Sequence, residues 1–206
     1  MRSGSCVLAL VGAAAAASTP AGWSPSSNNT LGESFEGIVV TPGITMSADN
    51  VTSQPDVYSL HNCSMDDSDA QTTYMLIMLD LNIPDSDVTT ADDYDTLVPG
   101  LVANTTTRLH WWGGNYTLDA TTGNYVNSSD GLAPYTAPRP RDELYHNYVL
   151  YLFAQPASYV PSEEALNGTY YDGVSDARFN FSLTPILEAV GAPLAANYFI
   201  ANNGTS

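Results

Sequence analysis

The sequence predicts a mainly β domain with one or two short helices, and three observations carry that expectation. Residues 73–81 (TYMLIMLDL) form a nearly continuous apolar run of strand length, with a polar stretch before it and Asn82-Ile83-Pro84 after. That pattern suits a strand buried on both faces. Its Met and Leu content would suit a helix equally; the short length and the flanking breakers favour the strand. Residues 145–154 (YHNYVLYLFA) are rich in the β-branched and aromatic side chains that strands accommodate. The best helix is only Thr184–Val190, with Thr184 as its cap, Pro185 in first position and Gly191 as its stop.

The remaining elements follow in order. Residues 35–40 read as a strand stopped by Pro42-Gly43, and residues 55–60 as a shorter one. Residues 109–112 are an apolar and aromatic strand carrying His110, and residues 115–129 a hairpin or loop broken at Thr122-Gly123-Asn124. Residues 135–141 (YTAPRPR) form a proline-stiffened loop, and Ala195–Ala201 a last strand. Residues 85–107 are polar and acidic. They lack the Asp-x-Asp-x-Asp-Gly spacing of a calcium loop and read as a solvated segment.

A chain of 206 residues with 44% apolar content is one ordinary domain able to bury a sizeable core. Its net charge is −17, from 22 acidic residues against five Arg and no Lys. Nucleic-acid binding needs a basic footprint, and this chain has none. Broad docking on an anionic membrane is disfavoured for the same reason. Any site for an anion must therefore work by local geometry.

Residues 1–17 read as a secretory signal peptide: Arg2, an apolar run, then Ala15-Ala16-Ala17 as a small-residue cleavage site. The run is too short to span a bilayer, which needs roughly 20 apolar residues. Residues 18–33, rich in Ser, Pro, Asn and Gly, read as a flexible lead-in, and residues 34–206 as the domain. Without Cys6, Cys63 is alone and no internal disulfide can form. Nine Asn-x-Ser/Thr triplets, at Asn28, Asn50, Asn62, Asn104, Asn115, Asn127, Asn167, Asn180 and Asn203, exceed the roughly three expected by chance. Together these features predict a released, extracellular, N-glycosylated eukaryotic protein, monomeric and without a transmembrane anchor.

Four segments, in order, resemble one family. Residues 74–84 (YMLIMLDLNIP) resemble the strand that ends in Asp-Pro-Asp-x-Pro in phosphatidylethanolamine-binding proteins. Leu109-His110-Trp111 resembles that family's Leu-His-Trp strand. Pro138-Arg139-Pro140 and His146-Asn147-Tyr148 resemble its proline-rich loop and Gly-x-His-Arg-Tyr segment. Phe179-Asn180 and residues 191–199 (GAPLAANYF) resemble its tail. The chain is identified as a secreted eukaryotic member of that family.

The resemblance implies an antiparallel β-sandwich with a small anion pocket at one end. Asp80, Pro84, His110, Pro140, His146 and Tyr148 would line it. It implies a binding protein rather than an enzyme, with no cofactor. The ligand would be a small anion or phospholipid headgroup, and a protease is a further partner. Asn82 stands where the family has its second Asp, and Asn147 where it has Arg. With that Arg missing, imidazolium would be the pocket's main cation, so anion binding should strengthen as pH falls through about 6.5. The competing readings are a hydrolase, or a metal-dependent enzyme built on Asp80, His110 and His146, a two-His-one-carboxylate set.

Overall fold

The computed structural model describes residues 17–60, 73–84, 105–127, 129, 131–140, 144–171 and 177–202. A small antiparallel sheet is made by β1 (Gly32–Phe35), β2 (Ile38–Val39) and β4 (Asp56–Tyr58), in the order β2-β1-β4. A six-stranded sheet holds β3 (Ile44–Thr45), β5 (Thr73–Pro84), β6 (Thr105–Leu118), β7 (Tyr125–Val126), β8 (His146–Gln155) and β9 (Ala195–Ala201). Its order is β3-β9-β8-β5-β6-β7, antiparallel throughout except for the short β3–β9 pair. Two short helices follow β8: α1 (Glu163–Asn167) and α2 (Thr184–Val190).

β5 is central, paired with β6 on one side and β8 on the other. Its alternate residues feed two separate cores. Met75, Ile77, Leu79 and Leu81 pack with Trp112, Val149, Tyr151 and Phe153 against Phe181, Leu183 and Ile186. Leu76 and Met78 pack with Trp111, Leu150 and Phe199 against Leu31, Phe35 and Val57 of the small-sheet side. A strand with both faces buried must be apolar at every position, which is the pattern the sequence showed.

The two sheets are also tied by hydrogen bonds. The buried Asn197 side chain, on β9, donates to the Leu31 carbonyl at 2.9 Å and to the Val40 carbonyl at 3.0 Å. Those carbonyls lie at the ends of the β1–β2 hairpin, so Asn197 supplies donors that an apolar side chain could not.

Several local expectations change. The strand expected at 35–40 is broken by the turn of that hairpin: Phe35 ends β1, Glu36 and Gly37 both take positive φ (49° and 86°), and β2 follows at Ile38–Val39. This is the geometry of a tight two-residue hairpin turn, and the second position suits glycine. Residues 18–33 are packed rather than loose: Trp23 and Leu31 are buried in the cores and the last two residues begin β1. Thr184 is the first residue of α2 and gives no side-chain cap. In α1, which the sequence did not locate, Ser162 does cap, accepting from the Ala165 N–H at 3.2 Å.

Among the described residues the buried side chains of Glu33, Trp112, Tyr151 and Tyr159 break the rule that buried polar groups are paired, and Glu33 is the carboxyl among them. Glu33, on β1, alternates with Leu31 and Phe35 facing the core, fully buried, and neither carboxyl oxygen has a hydrogen-bond partner among the described residues. Burial pushes its pKa up from 4.5 to about 8. The fold therefore prefers protonated Glu33. Its contribution to stability is full below about pH 4.5, falls as pH rises from there to about 8, and is flat above. Glu33→Gln should raise stability at pH 7 by roughly 2–3 kcal/mol and have little effect at pH 4. Denaturant titrations of both proteins across that range check this; an equal difference at both pH values would contradict it.

Candidate functional site

The end of β5 carries the charge. Asp80 pairs with Arg108 on β6 and with Tyr148 on β8. Two irregularities bracket it. Met78 pairs with Trp111 and Leu79 with Leu109, so His110 is an extra residue on β6; between Asp80 and Ile83 the extra residue is on β5. A bulge lets two consecutive residues face the same way. Here Trp111 joins the small-sheet core while His110 meets Tyr148 of that same core, with ring centroids 5.2 Å apart and nearly perpendicular.

The structure therefore brings together four of the sequence-predicted residues. Asp80, His110, His146 and Tyr148 are all buried. Asp80 Oδ2 accepts from His146 Nδ1 at 2.7 Å, and its Oδ1 accepts from the Asn82 N–H at 3.0 Å. The His146 ring lies nearly parallel to Tyr148 at 6.2 Å, and Tyr148 stacks on Phe199 at 5.1 Å. Pro140 is buried in the segment that runs beside β6. Pro84 pairs through its backbone with Thr105; its side chain lies outside the described residues.

Asn82 and Asn147 answer one another. Asn82 Oδ1 accepts from the Asn147 N–H at 2.9 Å and from its side-chain amide at 2.6 Å. Where the resembling pattern has an acid and an arginine, this chain has a neutral hydrogen-bonded pair. That pair fastens the start of β8 to the end of β5 without any charge.

Two arginines that the sequence reading passed over stand beside His110. Arg108 Nη1 is 3.3 Å from His110 Nε2, and its guanidinium lies over Phe179 at 5.4 Å. Arg178 is buried and donates to the Pro134 carbonyl and the Thr136 hydroxyl, both at 2.8 Å. The Thr136 carbonyl in turn accepts from His110 Nδ1 at 2.6 Å. A guanidinium only donates, so His110 Nε2 must accept, and the ring is the neutral Nδ1–H tautomer. Burial first, then Arg108, hold its pKa down from 6.5 to about 4; Asp80 and the Thr136 carbonyl pull the other way, and Arg178 adds to the lowering. The expected imidazolium at this position gives way to a neutral ring beside a permanent guanidinium. A metal-centre reading that uses His110 loses support too, because Arg108 faces the nitrogen a cation would need. Among the described residues no cluster of three or more His, Cys, Asp or Glu is placed to hold a metal.

Arg108 could have been found from the sequence, since residues two apart on a strand share a face. Arg178 could not, because it arrives through a long-range bridge that pairs Phe179 with Arg108. Two surface clefts among the described residues lie elsewhere, one walled by Trp111, Tyr116 and Tyr125 and one by Tyr74, Tyr125 and Leu194. Next to the cluster the chain runs into residues 85–104 and 141–143, outside the described residues, as Arg141 is.

A family model of phosphatidylethanolamine-binding proteins matches residues 26–197. The chain belongs to the phosphatidylethanolamine-binding protein family. A relative from Talaromyces stipitatus, phomoidride biosynthesis cluster protein N, is 27% identical over 95% of this chain and 96% of its own length. Among solved structures, a carboxypeptidase Y inhibitor crystallised with its cognate proteinase superposes with a TM-score of 0.55 at 17% identity, covering 84% of this chain and 82% of that one. The phosphatidylethanolamine-binding protein of Plasmodium vivax gives 0.50 at 17% identity, over 85% and 88% of the two chains. These likenesses agree with the family's mainly β fold.

The His110 environment is directly testable. Its ring signals in NMR should titrate with a midpoint near 4, and Arg108→Gln should move that midpoint upward, because a cation that disfavours imidazolium is gone. A His110 midpoint near 6.5 in the parent protein would contradict the neutral assignment.

Proposed function

We propose that this chain is an extracellular binding protein that holds a small oxyanion, a phosphate monoester or phospholipid headgroup, at the end of β5. The observation that carries this reading is the placing of a fixed guanidinium, Arg108, against His110 in the cluster that holds Asp80, His146 and Tyr148. An arginine can bind a phosphate with two parallel hydrogen bonds and stays charged at any working pH. Asp80 is drawn toward His146 and so presents less charge to an incoming anion. The negative charge of the rest of the molecule is screened beyond about 8 Å at physiological salt.

Titration with sulfate, whose charge is constant in this range, separates Arg108 from His110. Arg108→Gln should weaken binding about tenfold or more, the loss of a charge-assisted contact. His110→Gln should leave the shape of the pH profile between 5 and 8 unchanged, because His110 is already neutral there. Binding that ignores Arg108→Gln, or a pH profile that flattens in His110→Gln, counts against the reading. O-phosphoethanolamine against inorganic phosphate then tells a headgroup site from a phosphate site.

A protease is the partner to test first among proteins, since the carboxypeptidase Y inhibitor shares the fold. The hydrolase alternative rests on the buried Asp80–His146 pair, which has the form of an oriented general base. Ester-hydrolysis assays of the parent and Asp80→Asn discriminate it.

Secretion and glycosylation belong to the same proposal. No helix among the described residues is long and apolar enough to cross a membrane. Asn28, Asn50, Asn115 and Asn167 are exposed. Asn127 and Asn180 are half-buried and hydrogen-bonded, Asn127 donating to the Gly114 carbonyl and Asn180 accepting from the Thr106 hydroxyl. Asn62, Asn104 and Asn203 lie outside the described residues. Glycopeptide mapping of secreted protein should find the four exposed sites more fully occupied than Asn127 or Asn180, and a new terminus near residue 18. An intact Met1, or a mass unchanged by endoglycosidase, would refute secretion.

A further inference from the structure

The guanidinium of Arg108 lies over two rings, Phe179 at 5.4 Å and Tyr171 at 5.9 Å. Phe179 is brought there by the backbone bridge that pairs it with Arg108. Tyr171 arrives separately and is the outer ring of the two, 45% exposed where Phe179 is half-buried. The Tyr171 ring also lies 5.6 Å from the guanidinium of Arg178. Arg178 is buried and donates from Nε to the Thr169 carbonyl at 3.1 Å, two residues before Tyr171. A second tie runs from the Ala177 N–H to the Tyr170 carbonyl at 3.1 Å, joining the same stretch to the residue before Arg178. The Tyr171 ring is therefore delivered by an anchored piece of chain.

We propose that Tyr171 is a positioning residue of the oxyanion site: its ring holds the Arg108 guanidinium against His110 and so fixes the direction of the donors that meet the anion. What Arg108 does there rests on the oxyanion reading of the cluster; where Arg108 is held rests on the ring geometry alone. A ring face attracts a guanidinium through its quadrupole. That contact is not a hydrogen bond, so it takes up none of the N–H donors, all of which lie in the guanidinium plane. A carboxylate in place of the ring would hold Arg108 as well, but it would occupy those donors and repel the incoming anion. Holding a long side chain in place before the ligand arrives also lowers the ordering cost of binding.

The ring face, rather than the hydroxyl, carries this role. A hydroxyl contact to the anion would make Tyr171 a ligand instead, and Tyr171→Phe separates the two. Tyr171 belongs to neither core cluster and is exposed, so Tyr171→Ala leaves the packing of both sheets in place. Phe179 keeps its own contact with Arg108 in that variant, so the loss should be partial. Arg178 stays where it is, since its donors go to the Pro134 and Thr169 carbonyls and the Thr136 hydroxyl.

Two measurements on the purified protein test this. Calorimetric titration with sulfate reads the anion, and the NMR midpoint of the His110 ring reads where Arg108 sits with no ligand present. Tyr171→Ala should weaken sulfate about threefold. It should also move the His110 midpoint upward from about 4, less far than Arg108→Gln does, because the cation that disfavours imidazolium is no longer held at Nε2. Tyr171→Phe keeps the ring and should match the parent in both measurements. In the Arg108→Gln background, Tyr171→Ala should change neither. Tyr171→Ala leaving the midpoint or a measured sulfate affinity at its parent value would overturn the proposal. So would Tyr171→Phe behaving like Tyr171→Ala, or a Tyr171→Ala effect that persists without Arg108. Absence of sulfate binding in the parent would refute the oxyanion reading instead, and the His110 midpoint would still decide whether Tyr171 holds Arg108.

Discussion

Asp80 lies near the end of β5, which is apolar on both faces from Met75 to Leu79, and the polar end of the molecule is organised by how that one carboxylate is held. A buried carboxylate is tolerated only when its oxygens are taken up. One oxygen takes the His146 imidazole and the other the Asn82 backbone. The two bulges on either side serve the same end. They break the period-2 alternation of β5 and β6 just where a polar residue must replace an apolar one, and they turn His110 toward the face that already carries Asp80 and Tyr148.

The two faces of the large sheet are used differently. The face under α1 and α2 is a conventional core of Ile77, Val149, Phe153, Phe181 and Ile186. The face under the small sheet contains Tyr148 and Trp111 in one cluster. Tyr148 stacks beside His146 of the Asp80 cluster, and Trp111 walls a surface cleft together with Tyr116 and Tyr125. One aromatic layer therefore supports that cluster and the cleft, and the small sheet that covers it is clamped by Asn197. Changes in β1 or β4 should be felt in that layer, because interiors packed at this density transmit small displacements.

The electrostatics run against the bulk composition. The chain is strongly acidic, yet Arg108 and Arg178, two of its five arginines, sit within reach of His110. Short-range geometry outweighs net charge there, since unscreened interactions act over a few ångströms inside the protein and the surface charge is damped by salt. The Asn82–Asn147 pair makes the complementary point. It keeps the register between β5 and β8 without adding charge to a region that already holds a guanidinium, an imidazole and a carboxylate.

What the sequence by itself determined is the part governed by local patterning and by residue order. Residues 73–81 announced a strand buried on both faces because the run is apolar from Met75 to Leu79. Residues 145–154 and 195–201 announced their strands through aromatic and β-branched content. Ordered motifs, read together, announced the family and four of the residues that meet at the end of β5. Tertiary structure alone decided what depends on partners distant in the chain. The bulge at His110 exists only relative to β5, so no pattern within β6 could show it. Arg178 reaches Thr136 across more than forty positions, and its effect on His110 follows from that contact. The protonation of Glu33 was equally hidden: its spacing from Leu31 and Phe35 marks an inward position, but that no donor among the described residues reaches it is a property of the assembled core. Charge state and register are set by what folding brings alongside, and sequence shows only the groups that can respond.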